Sequence, residues 1–191
     1  MIINFRSIVW GMRGVEMRLV FPNMQYKEKA LDFIQEFYDN NSDINGSGGL
    51  DGYLEDSTYE DWIKKVLADI DIANIENPRV PAITYFYIRE EDDAIIGMIN
   101  IRLALNDFLR NEGGHVGYCI RPTERKKHYA TNMLSDALIV CDTIGIKEVL
   151  LSCDKENIAS AKVIKKCGGV LKKEFYSEAF EETIQMYSIN R

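Results

Sequence analysis

The chain has 191 residues, of which 46% are hydrophobic and 28% are charged, and its formal net charge at pH 7 is −7. This length and composition exclude an intrinsically disordered chain and fit one globular domain with a sizeable core. Because nucleic acids and anionic membranes attract basic surfaces, the acidic balance argues against both as partners.

The first 16 residues are interpreted as separate from the domain. The chain from Met17 reads as a natural start, so residues 1–16 are expected to be an over-long translation start or a loose arm. They lack the long apolar segment and the small-residue cleavage site of a secretory signal. A single domain is expected over residues 17–191.

The cysteine and histidine content argues against a metal site. The four cysteines show no CxxC spacing, and the chain has only two histidines. A zinc site needs a closer set of such ligands. We therefore expect free thiols, a reducing cytoplasmic location and no metal.

The first part of the domain predicts a strand, two helices and a loop. Residues 17–22 favour a short strand, and residues 26–39 favour a helix with one apolar face. The polar, glycine-rich residues 41–52 are interpreted as a mobile loop. Ser57 and Glu60 have the spacing of a capping box and predict the start of the next helix.

Strands dominate the middle of the chain. Residues 82–89 and 94–103 flank a polar turn and are expected to pair as an antiparallel hairpin. Residues 104–112 form a further connection, which leads into a strand at 114–121.

The last part of the chain predicts a βαβ crossover. A helix at about 128–144 connects the strand at 114–121 to a strand at 147–153, which predicts a parallel pair. The remaining elements are a helix and two strands, at 157–167, 170–177 and 183–189. The element order is typical of an α+β fold with a mixed, mostly antiparallel central sheet flanked by helices.

A basic cluster, Arg125-Lys126-Lys127, precedes the helix of this crossover. A helix N-terminus offers unpaired main-chain N–H groups and the positive end of the helix dipole. Together with three cations, it indicates an anion site suited to a pyrophosphate. From charge alone, a solvated run that binds nothing is an equal alternative.

Two short motifs carry a resemblance to a known family. The segment from Arg125 to Ala130 resembles the acetyl-CoA loop of the GNAT acetyltransferases, whose pattern is Arg/Gln-x-x-Gly-x-Gly/Ala. Asn157 and Ser160, with Gly168 eleven positions after the asparagine, resemble the second motif of that family. The chain is also similar to an uncharacterised bacterial subgroup of predicted acetyltransferases. The resemblance is good over roughly residues 80–191 and covers the earlier part only as a plausible lead-in.

The resemblance implies an acyltransferase that binds acetyl-CoA. The main-chain N–H groups of residues 126–131 would hold the pyrophosphate, and residues 118–120 would pair with the pantetheine arm and stabilise the thioester oxygen. The strand at 114–121 would splay from the one at 147–153 to open a slot for the cofactor. The implied cofactor-binding residues are Tyr118, Cys119, Ile120, Arg125, Lys126, Lys127, His128, Tyr129, Ala130, Thr131, Asn157 and Ser160.

Asn157 and Ser160 also have plainer interpretations. Asparagine is a common helix N-cap, and a serine three residues later can serve as a small spacer. For Ser160 the two interpretations stand equal.

The sequence departs from the family pattern at two positions. His128 replaces the first loop glycine, so it must adopt helical angles with its side chain outward or weaken binding. Ile164 stands where many relatives carry a tyrosine that protonates the departing thiolate. The acid is therefore open, and a water, Tyr118 or Tyr176 are the alternatives.

The attacking amine must lose a proton, so a base is needed. His115 near the start of the central strand is the candidate, because imidazole titrates near neutral pH. The alternative is a histidine that pairs with a loop carbonyl.

The expected reaction is acetyl transfer from acetyl-CoA to a primary amine by direct attack in a ternary complex. The acceptor is a small molecule or a protein or peptide amine. Residues 40–60 and 104–112 are expected to form its site, where Asp51, Glu55 and Asp56 could attract a cationic amine. The alternative function is an acyl-CoA-binding sensor or partner module without turnover. Since many relatives are dimers, a homodimer is one expectation for the assembly.

Overall fold

The computed structural model describes residues 15–191, so most of the segment interpreted as an N-terminal extension lies outside the described residues. Within them, helices and strands alternate in an α+β arrangement, as the sequence predicts. The strands are β1 (Met17–Val20), β2 (Ala82–Arg89), β3 (Ala94–Arg102), β4 (Val116–Ile120), β5 (Glu148–Asp154), β6 (Val170–Ser177) and β7 (Glu182–Asn190). The helices are α1 (Lys27–Asp39), α2 (Leu50–Asp56), α3 (Tyr59–Ala68), α4 (Tyr129–Thr143) and α5 (Ile158–Lys166).

The strands form two antiparallel sheets. One has the order β1-β2-β3-β4 and the other the order β5-β7-β6. The four-stranded sheet separates two apolar cores, because successive strand residues point to opposite faces. On one face it packs against α4 and α5, with Leu134 and Ile164 fully buried. On the other face it packs against α1 and α3, with Phe33 and Trp62 fully buried.

The early helices follow the apolar pattern but differ in detail from the prediction. Residues 41–52 are not a loop throughout, because Leu50 is fully buried and starts α2. The predicted capping box lies one residue too early. Thr58, rather than Ser57, is the N-cap of α3, and its hydroxyl accepts the N–H of Asp61.

The predicted parallel pairing of β4 and β5 is wrong. Among the described residues, no ladder links the two strands, and an isolated bridge of antiparallel type joins Gly114, just before β4, to Leu151 of β5. The main-chain N–H of Leu150 bonds to the His115 ring. Beyond this bridge the facing edges of β4 and β5 are not paired with each other, and the gap between these edges is called the slot below.

Candidate functional site

The turn that leads into α4 has an unusual backbone. Lys126 and His128 both have φ near +65°, whereas Lys127 between them does not have a positive φ. His128 therefore adopts the left-handed conformation and not the helical angles that were one of the two alternatives from the sequence. A chain segment with φ of alternating sign points successive N–H groups toward one concave side, which is the geometry of an anion-binding nest.

The N–H groups of this turn are free to bind a ligand. None of the main-chain N–H groups of residues 126–131 has an acceptor within the described part of the chain, and the first helical bond runs from Asn132 to the His128 carbonyl. The α4 dipole adds positive potential at the same place. The turn and the first helical residues thus form a cradle of six donors suited to an anion.

The basic side chains of this turn are mostly engaged elsewhere. The Arg125 guanidinium donates to the Ile120 carbonyl at 3.1 Å and to Ser42 Oγ at 2.6 Å. Lys127 Nζ donates to Glu124 Oε2 at 2.8 Å. The anion-binding capacity therefore lies in the main chain more than in these side chains.

The peptide groups of β4 alternate between its sheet and the slot. The Arg121 N–H donates to the Ile96 carbonyl, and the Arg102 N–H donates to the His115 carbonyl. These two bonds fix the phase of the antiparallel ladder, since hydrogen-bonded pairs recur at every second residue. The β4 residues whose peptide groups face away from β3 are Val116, Tyr118 and Ile120.

Within residues 118–120, the members are not equivalent. Cys119 lies opposite Met98 in a bonded pair, and its buried side chain packs on the α1 and α3 face. The Ile120 carbonyl is taken by Arg125. The N–H groups of Tyr118 and Ile120 therefore remain as the donors on the slot side of this segment.

The side chain of Tyr118 joins β4 to the second motif. Its hydroxyl lies 3.0 Å from Ser160 Oγ on the first turn of α5. Burial raises the pKa of Tyr118, so the phenol is protonated at neutral pH. Tyr176, the other tyrosine suggested as an acid, is 64% exposed on β6.

The second motif begins α5. Asn157 is its N-cap and accepts the Ser160 N–H at 3.0 Å, as its plainer interpretation predicts. Ile164, at the position of the family's tyrosine, is fully buried and packs in the α4 and α5 core. Ser160 lies one helical turn before Ile164 on α5, so the Tyr118 and Ser160 hydroxyls lie near the position at which this chain lacks the tyrosine of the family pattern.

His115 lies at the closed end of the slot. Its main-chain N–H donates to the Leu150 carbonyl at 2.6 Å, and its ring Nδ1 accepts the Leu150 N–H at 3.0 Å. The neutral ring then carries its proton on Nε2 and has no free acceptor nitrogen. Burial, with the charges of Arg110 and Arg102, lowers the pKa of His115. The geometry favours a structural role that ties β4 to β5.

A cavity of about 540 Å³ lies on the α1 and α3 face of the sheet. Residues 46–49 and Asn106 contribute to its wall, so the two segments expected to form an acceptor site meet there. Asn100 and Arg102 of β3 also line it, and sequence reasoning missed both. They are two polar positions in the otherwise apolar run of β3, which is the signal that could have found them.

The cavity adjoins the middle of β4. Gly46 lines it and also lies against the main chain of Gly117 and Tyr118, so closely that a Cβ on Gly46 would stand 2.2 Å from the Gly117 oxygen. Asn100 is the register partner of Gly117 across the β3–β4 ladder. Gly46 therefore connects the wall of the cavity to the main chain of β4 at Gly117 and Tyr118.

Metal-binding clusters and membrane-spanning helices are both absent from the described residues. No group of three or more histidine, cysteine, aspartate or glutamate side chains within residues 15–191 is placed to hold a metal ion. In the same range no helix is both long and apolar enough to cross a membrane.

Comparisons with known proteins identify a family. A family model described as an acetyltransferase (GNAT) domain matches residues 18–170. A search of curated protein sequences found no match.

Solved structures share the fold. The microcin C7 self-immunity acetyltransferase MccE, in complex with acetyl-CoA and AMP, is 17% identical with a TM-score of 0.68, and the match covers 92% of each chain. The ribosomal-protein-S5-alanine acetyltransferase from Vibrio fischeri is 14% identical with a TM-score of 0.62, over 96% of this chain and 97% of that one. The ribosomal L7/L12 α-N-protein acetyltransferase RimL, in complex with coenzyme A, is 13% identical with a TM-score of 0.66, over 95% and 97%.

Proposed function

The chain belongs to the GNAT acetyltransferase family as an acetyl-CoA-dependent N-acetyltransferase, and we propose that it passes the acetyl group to a primary amine by direct attack in a ternary complex. The observation that carries this proposal is the cradle of six N–H groups over residues 126–131, none of which has an acceptor within residues 15–191. A diphosphate is the part of acetyl-CoA that such a cradle suits.

The slot between β4 and β5 receives the pantetheine arm in this proposal. An extended chain can add to the free edge of β4, because the peptide groups of Tyr118 and Val116 face that edge. The thioester carbonyl then lies near the Tyr118 N–H. That donor would stabilise the negative charge on the oxygen as the amine attacks.

Proton transfer completes the reaction. The amine nitrogen forms the new bond to the acetyl carbon, the carbon–sulfur bond breaks, and the thiolate takes a proton. We assign this proton to the Tyr118 hydroxyl, which Ser160 orients at 3.0 Å. His115 is the sequence candidate for the base, yet its Nδ1 is occupied, so water is the better acceptor for the amine proton.

Calorimetry with acetyl-CoA tests the cradle directly. Ala130→Pro removes one N–H that has no partner within residues 15–191, at a first-turn position where proline is tolerated. We expect acetyl-CoA affinity to fall at least about 10-fold, the effect of one hydrogen bond to a charged group. Ala130→Ser keeps the N–H and is the matched control.

Turnover is measured as release of the coenzyme A thiol in the presence of a panel of primary amines. Thiol release that depends on an amine supports the proposed function. Absence of a binding heat with the unchanged protein would reject the cradle. Binding without release for any amine would instead indicate a module that holds acyl-CoA without turnover.

A further inference from the structure

Arg102 differs from the other cations that line the cavity, because its side chain bonds to main-chain carbonyls and not to a carboxylate. It is half-buried at the end of β3, and its side chain donates to two main-chain carbonyls, those of Gly113 and Gly114, at 3.4 and 2.9 Å. Burial lowers the pKa of Arg102, with no carboxylate acting to raise it. A guanidinium has five N–H donors, so donors remain that can bind an anion in the cavity.

The remaining charged groups of the cavity add positive charge. Lys65 and Arg79 both pair with Asp69, which is the one carboxylate among the lining residues. The lining therefore carries three positive charges and one negative charge, a balance of +2, in a chain whose net charge is −7. The acids expected to attract a cationic amine are not among the lining residues, and one of them, Asp51, accepts from Ser47.

The size of the cavity fits a small molecule. About 540 Å³ lies within the range of sites that enclose metabolite-sized ligands. Two polar side chains of its wall, Asn100 and Arg102, lie two positions apart and so on the same face of β3. The wall at Gly46 brings the cavity against the β4 main chain at Gly117 and Tyr118. An amine bound by its anionic end at Arg102 would thus extend toward the strand that holds the thioester.

We propose that the acceptor is a small molecule that carries a carboxylate or phosphate beside its amine, and that Arg102 binds this anionic group. The proposal rests on the proposed acetyl transfer and adds the class of acceptor. Its chemistry fits an α-amino acid or an amino-alcohol phosphate. A charged hydrogen bond to a guanidinium in a partly dry site discriminates strongly against a neutral analogue, which leaves the cation uncompensated.

Matched acceptors provide the first test. The α-amino acids are compared with their amides and their decarboxylated amines, and phosphoethanolamine is compared with ethanolamine. Thiol release from acetyl-CoA is the readout. We expect kcat/KM to be at least about 10-fold higher for an anionic member than for its neutral partner, and the pair that shows this distinguishes carboxylate from phosphate.

A variant series provides the second test. Arg102→Gln should lower kcat/KM for the anionic acceptor about 10-fold or more while the KM for acetyl-CoA and the rate with the neutral partner change little. Arg102→Lys keeps the charge and should retain part of the preference. Arg191→Gln is the matched control, because Arg191 pairs with Asp142 and is not among the residues that line the cavity. Should Arg102→Gln fail to fold, the comparison of acceptors in the unchanged protein and in Arg102→Lys decides the question.

The outcomes separate the two proposals. If neutral amines react as well as anionic ones, or if acetyl-CoA binds and no anionic amine is acetylated, the acceptor class is wrong. Acetylation of neutral amines would leave the proposed function standing. If the unchanged protein does not bind acetyl-CoA, both proposals fail together.

Discussion

The hydroxyl of Tyr118 and the Oγ of Ser160 lie 3.0 Å apart, although the two residues are 42 positions apart in the chain. Tyr118 stands on the slot edge of β4, and Ser160 stands on the first turn of α5. Their contact joins β4 to the second motif that resembles the GNAT pattern. Ser160 lies one helical turn before Ile164, the position at which many relatives carry a tyrosine.

The first prediction concerns this phenol. Tyr118→Phe should lower kcat about 10²-fold, because it removes the group assigned to protonate the thiolate. The KM for acetyl-CoA should change little, since the N–H of residue 118 remains. Steady-state thiol release measures both quantities. Tyr176→Phe, at an exposed position on β6, should leave the rate unchanged. If Tyr176→Phe lowered kcat and Tyr118→Phe did not, Tyr176 would be the acid that protonates the thiolate.

A second prediction follows from the backbone of the cradle. His128 has φ near +65°, a conformation that costs a non-glycine residue about 1–2 kcal/mol. His128→Gly should therefore raise the free energy of unfolding by about 1 kcal/mol and keep acetyl-CoA affinity equal or better. Urea unfolding and calorimetry measure the two effects.

Lys127→Gly is the control for this prediction. Lys127 does not have a positive φ, so the added backbone freedom should destabilise the protein by about 0.5–1 kcal/mol. A large loss of acetyl-CoA affinity in His128→Gly would show that the imidazole itself contacts the ligand.

A third prediction uses pH. Burial lowers the pKa of His115 in the folded protein, so the unfolded chain binds a proton more readily. The stability that comes from the neutral ring is present above the unfolded pKa of about 6.5 and is lost as pH falls below it. His115→Gln should flatten the pH dependence of unfolding in that window. Gln can still accept the Leu150 N–H.

The same variant tests the base. If His115 only ties β4 to β5, the pH profile of kcat/KM keeps its shape in His115→Gln. Disappearance of a limb near neutral pH from that profile would return the base role to the imidazole.

Much of the fold was predictable from apolar periodicity. The bounds of α1, α4, α5 and β2 follow the pattern within one or two residues, because each buries one continuous face. The sequence did not identify the N-cap of a helix where two residues that can cap it are adjacent. Ser57 and Thr58 can both cap a helix, and tertiary packing selects Thr58.

The sequence predicted only the part of the candidate site that is formed by consecutive main-chain groups. The motif around His128 indicated the cradle, whereas the sign of φ at that residue required the structure. The contact of Tyr118 with Ser160 depends on how β4 and α5 pack, and no spacing in the sequence encodes it. The parallel pairing of β4 and β5 was wrong because a side chain, His115, takes a main-chain donor of β5.

The last prediction concerns the loop that separates the cavity from β4. Gly46 has φ near +74°, and a Cβ there would stand 2.2 Å from the Gly117 oxygen. Gly49 has φ near +80°, but a Cβ there would meet nothing within 4 Å. An alanine at either position would therefore have the same backbone strain, and only an alanine at position 46 would also clash with a neighbouring atom.

Gly49→Ala should destabilise the protein by about 1 kcal/mol, the cost of the left-handed conformation alone. Gly46→Ala should exceed this by about 1–3 kcal/mol, since an overpacked contact with a main-chain oxygen cannot relax through a side-chain rotation. Urea unfolding of both variants measures the difference. The displaced loop should also lower kcat in Gly46→Ala more than in Gly49→Ala, because the wall of the proposed acceptor cavity at Gly46 moves. Equal losses of stability in the two variants would show that residue 46 does not rest on β4 in solution.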